Sequence, residues 1–187
     1  MKGIYLEKNN SMEHFISNFN ADEFTEIDSN AAIAKSAFAH SDVEKILFKG
    51  KDCSEIGESA FEGCESLATV IFGEVGTDET IERSVLKNLK LAAATGDYVI
   101  QANAFNGCGS LTTLVLPEVK GKHKLVIEND AFCACGSLRT VVALCDTIDF
   151  TGNPFANEAE HLTFICKENS GVARFARENG YRSVYVD

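Results

Sequence analysis

The motif Ile-x4-Phe-x2-Cys-x2-Leu-x2-(Val/Leu)-x-apolar occurs three times, and this recurrence restricts the fold more than any other feature of the chain. The copies are Ile56…Phe61…Cys64…Leu67…Val70…Phe72, Ile100…Phe105…Cys108…Leu111…Leu114…Leu116 and Ile127…Phe132…Cys135…Leu138…Val141…Ala143. A unit this short cannot bury its own apolar face. It must stack on neighbours, so the chain is expected to be a solenoid.

Fainter copies extend the array. Ile33-x4-Phe38 runs into Val43, Ile46 and Phe48, and Ile148 is followed by Phe155 and Leu162, with the turn rewritten around Asn153-Pro154. Leu86-x2-Leu89-x-Leu91 repeats the strand signature without the Ala-Phe-x-Gly-Cys arc, and Phe24 with Ile27 forms a weak earlier copy. Taking Val43, Leu67, Leu86, Leu111, Leu138 and Leu162 as first strand residues gives spacings of 24, 19, 25, 27 and 24. These match the roughly 20–29 residue period of leucine-rich repeats.

Within a unit, the final Leu-x-Leu alternation places Leu114 and Leu116 inward and Val115 outward. Phe105 lies on the returning arc, where its ring should stack on Phe132 of the next coil in an aromatic spine. Gly107 and Gly109 flank Cys108, where tight turning is needed. Arcs this brief are expected to form short helical or 3₁₀ turns.

The run Ile56-Gly57-Glu58-Ser59-Ala60-Phe61-Glu62-Gly63-Cys64-Glu65-Ser66-Leu67, with its parallels from Ala104 to Pro117 and from Ala131 to Val141, resembles the BspA-type leucine-rich repeat family. That family is typical of bacterial surface proteins and of some protozoan parasites. The resemblance covers about residues 30–187. It implies an α/β, right-handed solenoid with parallel strands on a concave face and short helical or 3₁₀ arcs on the convex face. It also implies binding or adhesion, with no catalytic residues to carry over. The expected organisation is one domain over 1–187: an N-terminal cap (1–30), about six repeats (31–166) and a C-terminal cap (167–187).

Composition bounds the partners. The chain has 187 residues, 45% of them apolar, enough for one continuous core. With 28 acidic against 17 basic residues its formal charge is -11. That argues against nucleic acid, whose binding rests on Lys and Arg neutralising phosphates, and against an anionic membrane surface. No run reaches the roughly 18 apolar residues of a membrane-spanning helix. Met1 to Asn10 lacks a sustained apolar stretch and does not read as a signal peptide. As given, the chain reads as cytoplasmic or as a piece of a secreted protein, and the resemblance implies the cell surface. The sequon Asn9-Asn10-Ser11 reads as chance.

Of seven cysteines, Cys64, Cys108 and Cys135 share one repeat position and read as a stacked column of small buried thiols. Parallel stacking rarely gives disulfide geometry. Cys133-x-Cys135 has no second Cys pair or spaced His pair beside it, so no metal is expected. His14, His40, His123 and His161 occupy unrelated contexts, and no Gly-x-Ser-x-Gly elbow, Walker loop or His-Glu-x2-His occurs. The acid clusters Glu58/Glu62/Glu65 and Asp22/Glu23/Glu26/Asp28 read as solvated faces. Neither an enzyme nor a cofactor site is expected.

Both ends need caps. Ser170 can N-cap a helix that presents Val172, Phe175 and Ala176 on one face and stops at Gly180, after which Tyr181, Val184 and Val186 return extended. Met12, Phe15, Ile16 and Phe19 are at helical spacing, which predicts a short amphipathic helix over Ser11 to Asn20, and Met1 to Lys8 could add an edge strand.

The outward residues of the strands are the expected binding surface. Their central column reads Leu47, Ile71, Lys90, Val115 and Val142, an apolar stripe expected to face solvent, bordered by Lys45, Lys49, Thr69, Thr113 and Thr140. Insertions at 92–99 and 118–126 leave one edge and are expected to form a rim, the second carrying Lys120, Lys122, His123 and Lys124. A protein partner docking on this stripe is the leading expectation. Burial of the stripe under the N-terminal segment or in a homodimer is the alternative. A spacer role within a larger surface protein and a cytosolic regulatory role are the rival functions.

Overall fold

A computed structural model describes residues 4–8, 11–16, 24–27, 32–49, 54–75, 89–91, 93–94, 96–156 and 161–186. In chain order the elements are β1 (Ile4–Lys8), β2 (Ser11–Ile16), β3 (Thr25–Ile27), β4 (Ala32–Ile33), β5 (Lys45–Phe48), β6 (Glu55–Ile56), β7 (Thr69–Val75), β8 (Leu89–Leu91) and β9 (Ala93–Ala94). They continue with β10 (Tyr98–Ile100), β11 (Thr113–Val115), β12 (Glu118–Val119), β13 (Leu125–Ile127), β14 (Thr140–Ala143), β15 (Ile148–Phe150), β16 (Thr163–Cys166), α1 (Gly171–Glu178) and β17 (Arg182–Tyr185).

The alternation in each repeat gives parallel strands stacked coil on coil. One sheet runs β3-β5-β7-β11-β14-β16-β17, and the other runs β1-β2-β4-β6-β10-β13-β15. Inward residues of both meet in a single core with the repeat's Ile, Phe, Cys and Leu positions. The result is a parallel-strand solenoid of about five turns. It departs from the α/β expectation: the arcs hold no helix among the described residues, and the short strands ending at Ile56, Ile100 and Ile127 form the second sheet.

Hydrogen bonding explains why the arcs are not helical. The N–H groups of Ser59, Phe61 and Gly63 bond the carbonyls of Ala102, Ala104 and Asn106 in the next coil at 3.2, 2.7 and 2.8 Å. Those of Ala60, Glu62 and Cys64 turn back to Gly57, Ser59 and Phe61 at 3.1, 3.1 and 3.3 Å. A helix would send every N–H back along its own chain. Here alternate donors leave for the neighbouring coil, which requires left-handed residues four apart: Ser36 and His40, Ser59 and Gly63, Asn103 and Gly107, Asp130 and Ala134. At Gly63 (φ 66°) a Cβ would also lie 2.4 Å from His40 Nδ1.

The aromatic spine forms as the repeat implies. Phe38, Phe61, Phe105, Phe132 and Phe155 stack with centroid separations of 4.7, 5.0, 5.1 and 5.2 Å. The cysteine column is buried, and its thiols also donate: Cys64, Cys108 and Cys135 Sγ bond the carbonyls of Phe38, Phe61 and Phe105 at 3.1, 3.2 and 3.2 Å. The six described cysteines are free.

Two expectations change. The strand expected at Leu89-x-Leu91 does not join the parallel stack: Leu86 lies outside the described residues, and β8 pairs antiparallel with β7 while β11 takes the next parallel place. Helix formation over Ser11 to Asn20 also fails. Ser11–Ile16 is a strand, pairing antiparallel with β1 and parallel with β4. A free strand edge at Ala32–Ile33 overrides helical spacing there. Asn9, Asn10, Asp22, Glu23 and Asp28 lie outside the described residues. At the other end the cap matches: Ser170 Oγ accepts from Ala173 N–H at 3.2 Å, Gly180 (φ 77°) follows the helix, and Val172, Phe175 and Ala176 are buried. Phe175 stacks on Phe150 at 3.9 Å, and the Tyr181 hydroxyl lies 3.0 Å from the Phe155 carbonyl oxygen.

Candidate functional site

Parallel, unshifted pairing carries each repeat position into a straight column across the strands. Leu47, Ile71, Val115 and Val142 are cross-strand neighbours and point away from the main core, as expected, where they form a separate cluster of their own. Their expected exposure is wrong. They are 5%, 4%, 0% and 2% exposed, and the described residues packed on them are Phe24, Leu144 and Ile165. A contiguous apolar stripe gains most from being covered within its own chain, and these four are core. Lys90 is not in the column at all, because β8 places it opposite Glu74.

The bordering row fares differently. Lys45, Thr69, Thr113 and Thr140 are half-exposed and stand in register on the same outward face. Thr163 pairs with Thr140, and Arg182 pairs with Thr163, so the row extends by two residues that sequence reasoning missed. The signal was the Leu-x-Thr of Leu67, Leu111 and Leu138, which contracts to Leu162-Thr163 and hides the register. At about 4.8 Å per strand, the row of six is about 24 Å long. Its four hydroxyls each donate and accept, between a lysine at one end and an arginine at the other.

Several cations near this face are engaged. Lys45 Nζ sits 5.9 Å from the centroid of the Phe24 ring, and Lys49 pairs with Glu26. The two insertions do share an edge, since β12 pairs with β9. The basic segment there faces carboxylates of this chain: Lys120 pairs with Glu118, His123 with Asp97 at 3.4 Å, and Lys124 with Asp149 at 3.1 Å. The Lys124 backbone N–H, with His123 beside it, holds the Asp97 carboxyl below the usual range. With these three matched by carboxylates of the chain, the rim is a poorer anion site than its sequence suggests.

Covalent chemistry finds no support in the thiols. Burial pushes Cys145 up to about 12 and raises Cys64 and Cys166; Cys108 is raised by its contact with Cys135 and by burial. Thiols held neutral are weak nucleophiles. Among the described residues, no three His, Cys, Asp or Glu side chains gather as a metal site, and no helix is long and apolar enough to cross a membrane.

A family model described as BspA type Leucine rich repeat region matches the chain in six copies, over residues 12–97 and 31–163. No curated protein and no solved structure matches it.

Proposed function

The chain belongs to the BspA-type leucine-rich repeat family, whose solenoids are protein-interaction modules and typically non-catalytic, and from that membership we propose that it binds a protein partner through the row Lys45, Thr69, Thr113, Thr140, Thr163 and Arg182. The observation that supports this reading is the unbroken register of half-exposed or exposed polar side chains over six adjacent strands. Leu47, Ile71, Val115 and Val142 serve as the buried support that keeps the row straight. Terminal cations on a chain of charge -11 favour a partner surface with acidic groups at its ends and polar groups between.

The experiment is selection of binders from a displayed peptide library, followed by titration of wild type and Thr113→Glu/Thr140→Glu. Two carboxylates in the row should weaken the selected ligands by at least about tenfold, or ~1.4 kcal/mol, while circular dichroism stays unchanged. Ligands that bind both proteins equally would place the working surface elsewhere.

A further inference from the structure

Sheet edges invite pairing with another strand unless something blunts them. The two long sheets have four edges, and three are blunted. The outer strand of one end, β1, carries a bulge between Leu6 and Glu7 and ends in Glu7-Lys8. At the other end of the same sheet, β15 is packed by α1, where Phe150 stacks on Phe175. The edge strand β3 has three residues, with Glu26 exposed and paired to Lys49. The fourth edge, β17, also touches α1 and begins with the exposed Arg182, but it has no bulge and its centre is apolar. It bears the exposed large hydrophobics of the described chain, Val184 at 51% and Tyr185 at 46%.

The geometry points to β17 as a strand-addition site, and its occupant is β17 of a second copy, running antiparallel about a two-fold axis through Val184. The backbone fixes the register. Arg182 and Val186 donate to the Leu162 and Cys166 carbonyls of β16 at 3.3 and 3.0 Å, so the N–H and C=O of Ser183 and Tyr185 face away from the sheet. With Val184 opposite Val184, Ser183 of each copy meets Tyr185 of the other, and the outward groups exchange four hydrogen bonds. An antiparallel two-fold mate keeps outward residues outward in both copies. The column Leu47, Ile71, Val115, Val142, Ile165, Val184 then continues across the dyad into the same column reversed. This continuity selects a second copy, since the edge is complementary to itself. So short a strand buries less than the roughly 1,200 Å² of a standard interface, so the dimer is weak and concentration-dependent. The charge of -11 on each copy opposes association, and added salt should strengthen it.

The test is sedimentation equilibrium of the full chain over a wide concentration range, at low and high salt. The variants are Val184→Lys and Ser183→Pro. The proline removes a donor that faces outward and leaves the β16 ladder intact. Wild type should approach twice the monomer mass with increasing concentration, more readily at high salt. Both variants should remain monomers with unchanged melting curves, while Thr112→Val, which alters neither the charge nor the β17 edge, should dimerise like wild type. A wild type that stays monomeric throughout, or variants that dimerise as wild type does, would overturn the assignment.

Discussion

The arc side and the strand side of this solenoid use the same repeats to opposite ends. On the arcs alternate N–H groups, the stacked rings and the column thiols are committed to a neighbouring coil. Phe61 stacks on Phe38 and Phe105, its N–H bonds Ala104, and its carbonyl receives the Cys108 thiol. On the outer face of the β3-to-β17 sheet, the row of Thr69, Thr113, Thr140 and Thr163 stays half-exposed beside an apolar column that the chain buries. Stability is concentrated where groups are satisfied between coils, and recognition is left to those that face solvent.

Breaking the spine should therefore have the largest effect. Phe105 is fully buried between Phe61 and Phe132, and Phe105→Ala should cost about 3–5 kcal/mol in urea unfolding, because rigid coils on both sides cannot close the cavity. Since each coil contacts only its neighbours, the loss should reach amide exchange in the flanking coils before the ends. A cost below about 1 kcal/mol would mean that the spine packs loosely.

That contrast also governs what could be read from the sequence. The spine, the thiol column and the Ser170 helix were legible because each depends on one residue type at a repeated or capping position. Arc conformation was not, since the left-handed sites are held by Ser59, Asn103 and Asp130 as well as by glycine, and the demand comes from the next coil's carbonyls. Nor was the fate of Leu47, Ile71, Val115 and Val142: alternation sets which face a residue takes, but not whether another part of the chain closes over that face. Two local cues misled for a related reason. The helical spacing of Met12, Phe15 and Ile16 yields to an available sheet edge, and the strand-like Leu89-x-Leu91 pairs antiparallel with β7 instead of joining the stack.

Alkaline pH tests the buried thiols of both sides more gently. A thiol held at about 12 when folded, against 9.0 ordinarily, stays protonated while its unfolded counterpart ionises. The unfolded state then binds fewer protons, so stability is full below pH 9 and falls as pH rises toward 12. At pH 10 the loss should be about 1.4 kcal/mol for Cys145, with further loss from Cys64, Cys108 and Cys166, whose values are also raised. Urea midpoints at pH 7.5 and pH 10 provide the check. Cys145→Ala should flatten the slope, and an unchanged slope would show that other groups carry the alkaline loss.

The smallest effect on stability belongs to the strand face, and its smallness is the point. Thr113→Val/Thr140→Val keeps the β-branch that suits a strand and removes only hydroxyls that are half-exposed, so unfolding free energy should stay within about 0.5 kcal/mol of wild type. Thr112 sharpens the comparison. It is the residue before Thr113, yet its hydroxyl already donates to the Ala68 carbonyl at 3.1 Å. Thr112→Val should cost stability by up to about 1 kcal/mol and leave ligand binding intact, whereas the row variant should keep stability and lose binding. If the row variant instead destabilises the fold as much as Thr112→Val does, the threonines are holding coils together, and the division between a structural arc side and a recognising strand side fails.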